Sequence, residues 1–209
     1  MTALMLAADG GHTEVVTVLM AAPGLDVNAE AGAGATALML AARGGHTETV
    51  TALLAAPGLD VNKATGVGST ALMLAADGGH TETVTALLAA PSIDVNAATG
   101  GGSTALMLAV AGGHTGGHTG GHTETVAALL AAPGIDVNAA ATDGGTALMR
   151  AANGGHTETA AALLAAPGID VNAALVRADG ERLTALSLAE GHGHVEIASL
   201  LRARRRRSM

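Results

Sequence analysis

Apolar residues along the chain recur with helical spacing, in short stretches separated by small and polar residues. In the stretch that opens at Thr36, Leu38, Ala41 and Ala42 fall at positions i, i+3 and i+4. This spacing places the three side chains on one face of a helix. A second apolar stripe follows within Val50–Leu54. The pattern therefore predicts two short helices in succession, each with one buried face.

The polar residues between these stripes predict where each helix begins and ends. Thr36 precedes the first stripe, where its hydroxyl can accept a bond from a free backbone N–H. Gly44-Gly45 ends the first helix, since glycine adopts left-handed backbone angles at little cost. Glu48 lies in the first turn of the second helix, near its positive end. Pro57-Gly58 ends that helix, and all five prolines occupy this slot: Pro23, Pro57, Pro91, Pro133 and Pro167.

The whole unit recurs along the chain, which makes it a repeat. Its Thr-Ala-Leu opening recurs near residues 2, 36, 70, 104, 146 and 184. The first three intervals are 34 residues long, and a tripled Gly-Gly-His-Thr at 112–123 lengthens the fourth. A fixed period of this length is typical of stacked repeats. We expect one array over residues 1–201, in which the Gly-rich stretch after each second helix forms a turn or finger. Extra residues around Leu175–Arg182 lengthen the fifth finger.

This unit resembles the ankyrin repeat. The family phrase matches Gly34–His46, then Leu53-Leu54 and Asp60–Asn62. Two features depart from the family phrase. Ala37 and Met39 replace the proline and histidine that the family carries after the threonine. The Pro-Gly pair after the second helix adds one residue to the family's usual repeat length. The resemblance implies an all-α fold with short hairpin-like fingers, an α-solenoid of stacked helix-turn-helix repeats. It also implies a non-catalytic scaffold that binds another protein through the finger tips and the concave face of the first helices.

The slots that vary between copies are the candidate partner-binding residues. One group directly precedes Gly-Gly and consists of Asp9, Arg43, Asp77 and Asn153, with Ala111 in the fourth copy. The other group lies in the fingers and consists of Lys63, Val67 and Asp143, together with Glu30 and Arg177. Interface hot spots favour Trp, Tyr and Arg, and the chain has no aromatic residue of the Phe, Trp or Tyr type. We therefore expect modest affinity for any one partner. The family resemblance also implies that the asparagine of the Asp-Val-Asn turn is a candidate for hydroxylation, at Asn28, Asn96, Asn138 and Asn172.

Charge and composition narrow the class of protein. Eighteen acidic residues face ten basic ones, for a net charge of −8, and five arginines lie in the last eight residues. An acidic array argues against nucleic-acid binding, which requires clustered Lys and Arg. No apolar run reaches the length of a membrane span, and the cysteine count of zero excludes disulfides. We expect an intracellular, cytoplasmic protein. The tail 202–209 is expected to be disordered, and Arg202–Arg207 leaves a nuclear adaptor open as an alternative.

Three other motifs give only weak evidence for a metal, dinucleotide or catalytic site. His114, His118 and His122 are spaced by four, as helical metal ligands would be, but Gly-Gly pairs separate them. Weak transition-metal binding by this loop is an alternative function, and no metal, cofactor or catalytic residue is assigned. Gly66–Ala71 fits a loose dinucleotide fingerprint, which needs a buried strand before it to be functional. Asp, His and Thr recur in every copy, so no singular catalytic group is indicated.

The two ends of the array differ in sequence. The first copy starts directly with its first helix and carries no polar outer surface, although solenoid ends normally need one. We expect either a fragment of a longer protein or a face able to self-associate, and otherwise a monomer. The sixth copy, which opens at Thr184 and ends in arginines, is expected to be a C-terminal cap.

Overall fold

The computed structural model describes residues 1–112, 122–176 and 180–207, without the side chain of Arg207. The described residues form six pairs of helices. The first helix of each pair is α1 Ala3–Asp9, α3 Ala37–Arg43, α5 Ala71–Asp77, α7 Ala105–Gly112, α9 Ala147–Gly154 or α11 Ala185–Gly191. The second is α2 Thr13–Met20, α4 Thr47–Leu54, α6 Thr81–Leu88, α8 Thr123–Leu130, α10 Thr157–Ala165 or α12 Val195–Arg207.

The helices form two layers with one continuous core between them. Each first helix packs against the first helices of its neighbours, and the second helices pack on one another in the same way. In the first five copies, the first leucine and the methionine of the first helix are almost fully buried, as Leu72 and Met73 show in the third copy. Alanine fills the closest approaches, with Ala75 and Ala76 completely buried. The predicted all-α solenoid is confirmed.

The threonine that opens each copy caps the first helix. Thr36 Oγ1 accepts a hydrogen bond from the Met39 backbone N–H at 3.3 Å. All six opening threonines accept such a bond, from a methionine N–H in the first five copies and from the Ser187 N–H in the sixth. In the first copy the Met5 sulfur also accepts from the Thr2 N–H at 3.4 Å. In the first copy, the methionine therefore supplies a side-chain acceptor at the position where the family carries histidine.

The Gly-Gly-His phrase ends the first helix and also joins neighbouring copies. Gly45 has a φ of +68°, a left-handed conformation that favours glycine. A Cβ on Gly45 would lie 2.6 Å from Nδ1 of His80 in the next copy, which is closer than atoms can approach. Glycine is thus needed for the turn and for the ring that packs on it.

The fingers join one another through the backbone. Within a finger, a single antiparallel bridge such as Ala64 to Thr70 closes the loop. Between fingers, the Gly66 N–H donates to Ala33 O at 2.8 Å, and the Gly100 N–H donates to Val67 O at 2.9 Å. The fifth finger is a longer hairpin of β1 Ala174–Val176 and β2 Arg182–Thr184, in which Leu175 pairs with Leu183.

The basic tail differs from our expectation. Residues 202–207 continue helix α12, where we predicted disorder from residue 202. Arginine has high helix propensity, and its positive charge is favourable at a helix C-terminus. The Arg202 guanidinium also donates to Glu190 Oε1, which fixes the first turn of this extension.

Candidate functional site

The variable residues before Gly-Gly lie on a regular backbone platform. For four of them, the histidine of the following copy donates its Nε2–H to the carbonyl oxygen of the variable residue. His46 bonds to Asp9 O at 3.0 Å, His80 to Arg43 O at 3.0 Å, His122 to Asp77 O at 3.1 Å and His194 to Asn153 O at 3.2 Å. The repeated histidine therefore has a structural, hydrogen-bonding role. It fixes the main chain of each slot, so copies differ there mainly in the side chain.

Two of the candidate residues form an ion pair. Arg43 Nη2 lies 3.0 Å from Asp9 Oδ1, and both side chains are substantially exposed. An exposed pair of this kind contributes about 0.2–1 kcal/mol at most. Its effect is to neutralise the first part of the row. Asp77, the next residue along, is exposed.

A second ion pair crosses two fingers. Lys63 Nζ lies 2.8 Å from Glu30 Oε1. The hydrogen bond to Glu30, with its negative charge, raises the pKa of Lys63 above the usual value. Val67, on the tip of the second finger, is 68% exposed. Arg177 lies outside the described residues.

The remaining candidates converge on one cleft. Asp143 and Asn153 line a cavity of about 290 Å³ together with Ala111, so three variable slots meet there. Asp143 Oδ1 accepts the Gly145 backbone N–H at 2.8 Å, which holds the tip of the fourth finger over the cleft. Met149, Leu175 and Leu188 supply apolar walls. The cleft thus combines a few polar groups with an aliphatic lining, as ligand sites do.

One lining residue of this cleft was not among our candidates. Arg150 occupies a first-helix slot that holds leucine in the five other copies: Leu6, Leu40, Leu74, Leu108 and Leu188. Its Nη2 donates to Ser103 Oγ at 3.4 Å, while its Nε–H is buried without a partner. The signal was present in the sequence, because Arg150 is the one charged substitution in the Thr-Ala-Leu-Met-Leu phrase. It was missed because we considered only the slots beside the glycines and in the fingers.

The histidine loop and the dinucleotide motif gain no support as sites. His122 takes the structural position of the repeat histidine, and His114 and His118 lie outside the described residues. Within the described residues, no group of three or more His, Cys, Asp or Glu side chains is placed to hold a metal. In the dinucleotide motif, Gly68 packs against the backbone of the next finger, where a Cβ would lie 3.0 Å from Thr99. Close finger packing accounts for the glycine there.

The asparagines of the Asp-Val-Asn turn link consecutive fingers. The Asn28 amide donates to Gly58 O at 2.7 Å, and its oxygen accepts the Asp60 N–H at 2.8 Å. Asn96 and Asn138 bond in the same way to the next copy. Their carboxamides therefore have a structural role. Their hydroxylation stays a prediction of the family resemblance.

Comparisons with known proteins agree on one family. The family model for ankyrin repeats (three copies) matches residues 1–65, 58–139 and 117–206. Among solved structures, the chain is similar to the ankyrin repeat protein EF0377, with 24% identity, a TM-score of 0.80, and 95% and 96% of the two chains covered. It is similar to the ankyrin repeat domain ABAYE2397 from Acinetobacter baumannii AYE, with 30% identity, a TM-score of 0.79, and 96% of each chain covered. It is also similar to the human ASB11 ankyrin repeat domain, with 25% identity, a TM-score of 0.75, and 98% of this chain and 84% of that chain covered. No curated protein matches the chain in sequence.

Proposed function

The chain belongs to the ankyrin-repeat family, and we propose that it is a non-catalytic scaffold that binds another protein through its first-helix face and finger tips. Ankyrin repeats are generally protein–protein interaction modules. We define the first-helix face here as the exposed side of α1, α3, α5, α7 and α9 with the adjoining fingers. The observation that carries this proposal is the cleft beside α9, in which the variable residues Ala111, Asp143 and Asn153 meet.

The distribution of sequence variation supports the choice of this face. The second helices are nearly identical in the second to fifth copies, and the invariant residues of the repeat are used in caps, turns and packing. The side chains before Gly-Gly differ in charge from copy to copy, reading Asp9, Arg43, Asp77, Ala111 and Asn153. A surface that carries different groups on a constant backbone is suited to recognition, because specificity depends on the pattern of charges and apolar groups.

Among the described residues, no helix is both long and apolar enough to span a bilayer. The surface also lacks the aromatic residues that dominate interface energies. We therefore expect micromolar affinity for a partner, built from several modest contacts.

The test compares the two helix layers. A photo-crosslinking amino acid is placed at Asp77 or Asn153 on the first-helix face, and as matched controls at Thr85 or Glu158, which are exposed on second helices. After irradiation with a lysate of the source organism, we expect one discrete protein adduct with the first pair and none with the second. Equal adducts at all four positions, or adducts only at Thr85 and Glu158, would contradict the assignment of this face.

Once a partner is known, alanine substitutions refine the assignment. Replacement of Arg43, Asp77 and Asn153 is expected to weaken binding by about fivefold or more in total, in line with polar contacts of modest strength. Binding that is unchanged in the triple variant would remove these residues from the interface.

A further inference from the structure

The cleft beside α9 contains a cation without an anionic partner. Among the described residues, Arg43 and Lys63 each lie within ion-pair distance of a carboxylate, but Arg150 does not. Its one recorded hydrogen bond is the long contact to Ser103 Oγ at 3.4 Å, and its Nε–H is buried without an acceptor. Buried donors are nearly always satisfied in native proteins, so an unsatisfied one calls for an explanation.

Packing alone does not explain the arginine. The same slot holds leucine in all other copies, and Leu40 is well buried there. Leucine would fill this half-buried position without leaving a donor unpaired. Arg150 therefore departs from the scaffold sequence at a cost to the ligand-free protein, which is the pattern expected where a residue is kept for recognition.

We propose that Arg150 binds the side-chain carboxylate of a glutamate or aspartate in an extended segment of the partner protein. This inference rests on the proposed function and names the group that the cleft recognises. A guanidinium presents a rigid set of N–H donors that matches a carboxylate in two parallel bonds. A carboxylate that enters the cleft would accept from the Nη groups, and a rotation of the Arg150 side chain would bring the buried Nε–H into the same pair of bonds.

The rest of the cleft fits a side chain better than a cofactor. Its volume of about 290 Å³ lies at the lower limit of small-molecule sites, which span roughly 300–1,000 Å³. Met149, Leu175 and Leu188 give it aliphatic walls, which suit the methylene groups of a glutamate and an adjoining apolar side chain. Asp143 also lines the cleft, but one of its oxygens is already bonded to the Gly145 N–H.

The experiment uses two peptides that differ in one group, acetyl-Ala-Leu-Glu-Leu-Ala-amide and the same peptide with glutamine. Both are titrated into the full-length 15N-labelled protein, and binding is read from backbone shifts at Ala111 and Asn153 and from the Arg150 Nε–H resonance. We expect the glutamate peptide to bind about tenfold more tightly, since charge-assisted hydrogen bonds are roughly twice as strong as neutral ones. A shift of the Arg150 Nε–H signal only with the glutamate peptide is the direct signature. Equal binding of the two peptides would overturn the proposal.

The variant Arg150→Leu restores the residue of the other copies and should therefore fold. It is expected to bind both peptides equally weakly. The matched control Arg206→Leu removes the same charge at an exposed position of α12, outside the cleft, and should keep the tenfold preference. If the two variants lose the preference to the same extent, the effect is one of net charge and the assignment of Arg150 is wrong.

The peptide titration and the crosslinking experiment fail independently. Adducts on the first-helix face with no preference for the glutamate peptide would refute the role of Arg150 and leave the scaffold function intact. A clear preference for the glutamate peptide without any adduct on that face would support the role of Arg150 and contradict the assignment of the first-helix face.

Discussion

The two ends of the array are built from the same repeat but present opposite surfaces. At the C-terminal end, the sixth copy replaces a buried alanine of the repeat with Glu190, which pairs with Arg202 across the outer surface. At the N-terminal end, the first copy places Val15 and Val18 where the second copy has Thr49 and Ala52. These two valines are 51% and 73% exposed. One end is thus polar and the other is apolar.

The cause lies in what each slot contacts inside the array. Thr49 is buried, and its hydroxyl lies 2.8 Å from the hydroxyl of Thr13 in the preceding copy. The same pairing recurs between later copies. Val15 takes the Thr49 slot on a face that no described residue covers, and it cannot form this bond. In a solenoid each repeat contacts only its neighbours, so end residues determine solubility without affecting the interior.

The largest expected difference between the ends concerns one leucine slot. Leu201 in the sixth copy is fully buried, whereas Leu19 in the first copy is only partly buried. Leu201→Ala is expected to lower the free energy of unfolding by about 3 kcal/mol, the usual cost of removing a buried leucine. Leu19→Ala should cost about 1 kcal/mol, because less apolar surface is lost. Urea unfolding followed by circular dichroism measures both.

Repeat arrays can unfold in stages, so hydrogen exchange of the α12 and α2 amides serves as the local control. Leu201→Ala should accelerate exchange in α12, and Leu19→Ala should accelerate it in α2. Equal losses of stability for the two variants would show that the ends are equally well packed.

The second prediction concerns association through the apolar end. We expect the weight-average mass in sedimentation equilibrium to rise with protein concentration, because Leu6, Val15 and Val18 of the first copy are all exposed. The double variant Val15→Thr, Val18→Ala restores the residues of the second copy and should weaken this association about tenfold, which corresponds to about 1.4 kcal/mol of apolar burial. Val195→Thr, at an exposed valine on the other end, is the matched control. A constant mass over the concentration range would count against an associating face.

The third prediction compares the two helix caps. Thr184 Oγ1 accepts the Ser187 N–H at 3.2 Å, and Ser187 Oγ accepts the Thr184 N–H at 2.9 Å. Thr2 has the same arrangement with Met5, but the return bond is to sulfur at 3.4 Å. Thr184→Ala is expected to cost about 1 kcal/mol and Thr2→Ala about 0.5 kcal/mol, within the range of N-cap losses. Thermal unfolding of both variants measures which of them loses more stability. A larger loss of stability for Thr2→Ala would contradict the prediction.

Most of the fold could be predicted from the sequence, because the invariant residues of the repeat have local structural roles. Thr36 caps the first helix, Gly45 forms the turn after it, and Leu53 packs in the core. Equivalent residues do the same in other copies, and each role follows from neighbours along the chain. The helix over residues 202–207 was not predicted, because the helix propensity of Arg202–Arg207 was given less weight than its charge. The cleft could not be predicted, since it depends on how Leu175 of the long fifth finger meets Leu188 of the irregular sixth copy. Contacts between irregular copies have no counterpart elsewhere in the array.

The smallest expected effect concerns the ion pair that makes the C-terminal end polar. Glu190 and Arg202 are each about half exposed, so Glu190→Gln should lower the stability by only about 0.2–1 kcal/mol. The loss should shrink further in 0.5 M NaCl, because salt screens exposed charges. Glu190→Ala, in contrast, restores the small apolar residue of the interior copies and should increase association, by making the C-terminal end resemble the N-terminal one. Sedimentation of the two variants separates these effects. An unchanged mass for Glu190→Ala would show that the arginines of α12 keep this end soluble without the ion pair.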